Sequence, residues 1–108
     1  MENLTEKIIN FNEMVDYAEG SIISKQILIK KAGNITLFSF DQGQKLSEHT
    51  APFDAMVQII DGIGEVFIAG NKYTLNVGET IIMPADVPHA VNAVEKFKML
   101  LTMIKSKD

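Results

Sequence analysis

Glycine and proline recur along this chain at short, regular intervals, and that spacing limits what it can fold into. Gly20, Gly33, Gly43, Gly62, Gly64, Gly70 and Gly78, with Pro52, Pro84 and Pro88, cut the 108 residues into short pieces. Pieces of roughly 5–10 residues suit strands rather than helices. They are also rich in β-branched and aromatic residues, which pack well on a pleated, half-buried surface. The predicted strands are Ser21–Lys30, Asn34–Phe40, Ala55–Asp61, Glu65–Ala69, Lys72–Asn76, Thr80–Met83, His89–Val94 and Phe97–Ile104. One short helix is expected around Phe11–Tyr17, with Asn10 or Asn12 as its N-cap.

Alternation supports the strands. In NITLFSF, Ile35, Leu37 and Ser39 share one face and Thr36, Phe38 and Phe40 the other. Gly70-Asn71 reads as a tight hairpin turn, and Asp61–Gly64 as a second. Eight short strands in one domain call for a sandwich or closed barrel, because a small sheet must cover its apolar face and remove its edges. The fold class is therefore all-β. Two strands, AMVQII and FKMLLTMI, are apolar on both faces. One face fills the interior; the other needs the N-terminal segment or another chain to cover it. A second chain is the expectation, hence a homodimer.

Composition excludes several functions. The formal net charge is −4, every basic residue is lysine, and there is no cysteine. Without arginine there is no bidentate fork for phosphate or guanine, so no nucleic-acid partner is expected. Without cysteine there is no disulfide framework, thiolate metal site or cysteine nucleophile. The N-terminus MENLTEKIIN is charged and mixed, unlike a signal peptide. No apolar run approaches the ~20 residues of a membrane span. A cytoplasmic protein with no membrane partner is the expectation.

The chain has two histidines, His49 and His89, each beside a turn that begins a strand. They meet if their strands are neighbours in a barrel. Gly43 is followed by QKLSE and then His49, and Gly62 follows Ile59-Ile60-Asp61. Gly78 is followed by ETIIM, then Pro84, then His89. In these two spaced groups the sequence resembles the cupins, small barrels of the jelly-roll type. The motifs cover roughly residues 43–93, and residues 21–40 and 97–104 supply flanking strands. The resemblance implies a double-stranded β-helix as a single domain over residues 1–108.

In metal-bearing cupins, two histidines of a His-x-His pair, a glutamate and a later histidine hold the ion. Here the second histidine position is Ala51 and the glutamate position is Ala55. Asp86 stands for the glycine of Pro-x-Gly, and Ala93 for the final asparagine, with Asn92 one place early. The resemblance thus implies a metal site reduced to His49 and His89. A catalytic zinc normally takes three protein ligands. Gln58 is the candidate third ligand, although alternation turns it away from the axis when Ala55 faces inward. Glu48 and Asp54 meet the same parity problem.

The alanines make inward space less polar. Val57, Ile59, Ile81, Met83 and Val91 share the inward parity, giving an apolar pocket with imidazoles near its mouth, a site for a small organic ligand. Alternatively, large side chains fill the barrel. Three functions follow. The first is a small-molecule barrel holding a divalent transition metal (Zn, Ni, Fe, Mn or Cu) weakly. The second is a metal-dependent dioxygenase or isomerase with an unconventional ligand set. The third is an interaction module with a filled barrel.

Overall fold

A computed structural model describes residues 3–105. Residues 1, 2 and 106–108 of the expected domain span lie outside the described residues. The described residues form nine strands: β1 Ile22–Lys30, β2 Gly33–Phe40, β3 Lys45–His49, β4 Asp54–Gly62, β5 Gly64–Ile68, β6 Asn71–Leu75, β7 Thr80–Met83, β8 His89–Asn92 and β9 Phe97–Ile104. All pairings are antiparallel, in a larger sheet β1-β2-β9-β4-β7 and a smaller one β3-β8-β5-β6. This is the double-stranded β-helix the sequence pointed to.

Four local expectations need correction. Lys45–His49 is a strand that the spacing of breakers did not mark. Asp61–Gly64 is no hairpin. Gly62 ends β4 in the larger sheet and Gly64 begins β5 in the smaller one, so the chain changes sheets there. That corner needs glycine: Gly62 has φ +74°, and a Cβ would run into the Lys96 carbonyl. The β5–β6 turn falls on Ala69-Gly70, one residue earlier than expected. Both have positive φ, 51° and 81°, as a two-residue I′ turn requires. The helix is also shorter than expected. Helix α1 spans Phe11–Met14, and Asn10 caps it by accepting from Asn12 N at 3.1 Å.

Alternation decides what the barrel encloses. On β4, Ala55, Val57 and Ile59 are buried inward, while Met56, Gln58 and Ile60 lie on the outer face. Phe40 and Phe97 stack inside at 4.6 Å between centroids, beside Ile59, Val66 and Met99. A methyl group on Gly64 would touch the Phe97 ring, so the sheets close tightly at this end. Farther along, inward-facing Ile68, Ile81 and Leu101 are only partly buried, as are Phe38 in the Met99 row and Leu46 in the Val66 row. The barrel is therefore filled around the Phe40–Phe97 stack and more open toward Ile68, Ile81 and Leu101.

The outer face of the larger sheet carries a polar rail. Ser39 of β2, Lys98 of β9 and Asp61 of β4 stand side by side. Each holds the N-terminal segment. Ser39 Oγ donates to the Asp16 carbonyl at 2.9 Å. Lys98 Nζ donates to the carbonyl and the side-chain oxygen of Asn12 at 2.7 and 3.0 Å. The Tyr17 hydroxyl donates to Asp61 Oδ2 at 2.5 Å. Beside the rail, Val15 is buried against Leu37 and Leu100, with Phe11 and Met14 packed around them. The N-terminal segment thus covers part of the face that the sequence assigned to a second chain.

Candidate functional site

His49 ends β3 and His89 begins β8, and the register sets them directly opposite one another. His49 is therefore the last residue of a strand, not the approach to β4. Directly opposed residues share a face of the sheet, and Ile68 of β5 extends the row on the far side of His89. The pair lies at the open end of the barrel, away from the Phe40–Phe97 stack. Two short loops flank it and are tied together. Asp86 N donates to the Ala51 carbonyl at 2.8 Å, and Ala85 N donates to Asp54 Oδ1 at 2.9 Å. Asp86 has φ +64°, so the aspartate keeps the left-handed turn that glycine gives the family motif.

The two Nε2 atoms are 3.1 Å apart, with ring centroids at 4.3 Å and planes at 69°. Each Nδ1 faces the backbone carbonyl two residues earlier: Ser47 O at 2.8 Å for His49, Val87 O at 3.2 Å for His89. A carbonyl only accepts, so each Nδ1 bears the hydrogen and each Nε2 presents its lone pair. Two lone pairs at this distance repel unless a cation lies between them. One proton would serve, making an imidazolium–imidazole pair, and so would a metal ion.

The donor set can be tested against a metal. Two imidazole nitrogens about 2.0–2.1 Å from one ion are separated by ~2.9 Å at a right angle and ~3.3 Å at a tetrahedral angle. The observed 3.1 Å falls between. An outer hydrogen bond from each Nδ1 to a carbonyl is also how metal-binding histidines are oriented. His89 is held below the usual histidine range, mainly by burial and further by the neighbouring His49, against the opposing Val87 carbonyl. Its neutral, ligating form is favoured.

The remaining candidates do not join the pair. Gln58 lies on the outer face of β4, between Leu100 and Thr80, because three residues from Ala55 reverses the side. Asp54 is engaged by Ala85 N, and Glu48 is exposed on β3. Among the described residues no group of three His, Asp or Glu side chains could hold a metal. Ala55 is buried between Met83 and Met103, and Ala93 lies in the core. The donor set therefore fits a two-imidazole site and does not fit a three-ligand catalytic centre. Sequence inspection missed the Ser47 and Val87 carbonyls. Any residue supplies a carbonyl, so no side-chain signal could have marked them.

Two antiparallel sheets in a jelly-roll barrel, with the two motif histidines opposed on adjacent strands, define the fold class. The chain belongs to the cupin family: the Cupin domain model matches residues 36–105. A conserved protein of unknown function from Streptococcus pyogenes is 36% identical, with TM-score 0.90 over 100% of this chain and 93% of that one. A cupin 2 conserved barrel domain protein from Leptotrichia buccalis is 42% identical, with TM-score 0.87 over 90% of this chain. The match spans about half of that protein, 47%. KdgF from Halomonas sp. shares the fold at 22% identity, with TM-score 0.77 and 93% of each chain covered. A search of the curated proteins finds no match. No helix among the described residues is long and apolar enough to cross a membrane.

Proposed function

We propose that this cupin binds a small, largely apolar molecule in the open end of its barrel, with His49 and His89 as the polar anchor. We also propose that the pair holds a divalent transition metal ion (Zn, Ni, Fe, Mn or Cu) weakly. The observation that carries the proposal is the convergence of two Nε2 lone pairs at 3.1 Å, each oriented from behind by a backbone carbonyl. Partly buried Phe38, Leu46, Ile68, Ile81 and Leu101 support an apolar ligand. A bound metal would supply a Lewis-acidic point for a ligand oxygen or nitrogen. His49 and His89 would orient it, with solvent or ligand completing the coordination. A dioxygenase or isomerase reading lacks the third protein ligand that such sites use. A cytoplasmic location accords with the absence of cysteine.

The test is metal analysis of protein purified without an affinity tag, with thermal unfolding in zinc, nickel or manganese chloride. At an ion concentration 100 times the dissociation constant, binding should stabilise the fold by about 2.7 kcal/mol. That gain should vanish in both His49→Ala and His89→Ala. If no transition-metal ion stabilises the protein, or if the gain survives both substitutions, the metal site is wrong.

A further inference from the structure

The two sheets face each other strand for strand. The connections β2–β3, β4–β5, β6–β7 and β8–β9 each join strands that hold the same place in the orders β2-β9-β4-β7 and β3-β8-β5-β6. β3, which ends in His49, therefore lies across from β2, and β1 extends past it with no strand opposite. Alternation puts Asn34 and Thr36 of β2 on the inner face, because Phe38 and Phe40 of the same parity join the core. The register carries the Thr36 row from Gln26 on β1 through Leu101 and Val57 to Ile81 on β7. The Asn34 row runs through Met103 and Ala55 to Met83. It marks the histidine end, since residues 50–53 join His49 to β4 and residues 84–88 join Met83 to His89. Across these two rows β2 and Gln26 are polar, whereas β9, β4 and β7 are apolar.

The pairing and charge of this surface limit what it accepts. The side chains of Gln26, Asn34 and Thr36 have no hydrogen-bond partner among the described residues. Asn34 and Thr36 are half-buried and Gln26 is exposed. On eight of the nine strands every charged residue takes the outward parity. On β3, Glu48 is exposed in the irregular stretch between Leu46 and His49. A carboxylate or phosphate placed inside would lose its water with no lysine or arginine to replace it, a far larger cost than burying a hydroxyl or amide. We propose that the ligand of the His49–His89 site is an uncharged amphipathic molecule. Its hydrogen-bonding head, a diol or hydroxy amide, lies between His49 and the Thr36–Gln26 flank, and its apolar body lies along Leu101, Val57 and Ile81. This rests on the reading of the barrel as a ligand site and adds the ligand's charge, its orientation and the residues that select it. A purely apolar molecule would leave the polar groups of Thr36 and Gln26 unpaired, and that difference is the basis of selection.

Nuclear magnetic resonance titrations of the full chain test this with three probes of related shape: phenylethanediol, its carboxylate counterpart mandelate, and ethylbenzene. EDTA is present, so that no metal supplies a countercharge. The diol should shift the Ile68 and Ile81 methyl resonances together with the Thr36 amide. It should bind at least about fivefold tighter than either other probe, the effect of one net hydrogen bond. Thr36→Val and Gln26→Met should each weaken the diol by about that factor and leave ethylbenzene no weaker. Mandelate binding as tightly as the diol would overturn the uncharged class. A diol affinity unchanged in both variants would overturn the Thr36–Gln26 flank. In either case, loss of diol binding in His89→Ala would show the histidine anchor intact. If no probe shifts Ile68 or Ile81, the reading of the barrel as a ligand site fails, and this inference with it.

Discussion

Replacing Lys98 by methionine asks whether the polar rail stabilises the fold or merely tolerates a buried charge. The lysine is 6% exposed, and its ammonium donates to two oxygens of Asn12 at 2.7 and 3.0 Å. It also lies 5.1 Å from the centre of the Tyr17 ring. Hydrogen bonds to a charged group are worth about 1.5–3 kcal/mol each, and the ring contact about 0.5–1. Two corrections reduce the sum. Asn12 is exposed, so its oxygens can regain water once the lysine is gone. Methionine also avoids the several kcal/mol of desolvation that a buried ammonium incurs. The net expectation is a loss of about 2 kcal/mol, or a fall of roughly 8–16 °C in Tm for a domain of this size. Urea unfolding should show the midpoint falling by about 1–2 M, given slopes of about 1–2 kcal/mol per M. Hydrogen exchange should show Val15 losing protection before the strands do. An unchanged or raised midpoint would mean that desolvation outweighs the hydrogen bonds, and that Val15 packing alone seats the segment.

Gly62→Ala should destabilise by more than about 2 kcal/mol, because it adds a left-handed φ penalty to a backbone clash with Lys96; thermal unfolding within a few degrees of wild type would refute the account of the corner. His89 titrates below its ordinary 6.5 in the fold, so the unfolded chain takes up a proton first as pH falls. The stability it contributes is complete above about pH 6.5 and is lost as pH falls toward the folded value. In urea melts this slope should be present in the wild type and absent in His89→Gln; a slope that persists in the variant would assign it to another group.

Local chemistry made much of the fold legible. The breakers and the alternation in NITLFSF and AMVQII set strand positions and faces, because side-chain direction in a strand depends only on parity. The same parity turned Gln58 outward. Failures came where local signals are ambiguous. Gly62 and Gly64 mark a tight bend equally well in a hairpin or in a change of sheet, and only the partners of β4 and β5 distinguish the two. β3, Lys45–His49, is short and polar, so it lacks the apolar alternation that marks a strand.

The histidine site divides in the same way. The motif spacing identified His49 and His89 as a pair, 40 positions apart in the chain. Their contact at 3.1 Å, and the carbonyls that orient each ring, follow from the β3–β8 register. The polar rail is a stronger case. Lys98 reaches Asn12 across 86 positions, and Tyr17 reaches Asp61 across 44. In the sequence Lys98 interrupts an apolar strand and Tyr17 follows a short helix, with nothing to connect them. The sequence determined which residues alternate and where the chain must turn, because those are properties of neighbouring backbone units. Tertiary structure decided which strands became neighbours, because pairing is selected by burial over the whole barrel; that choice made two isolated imidazoles into a contacting pair and one lysine into the anchor of the N-terminal segment.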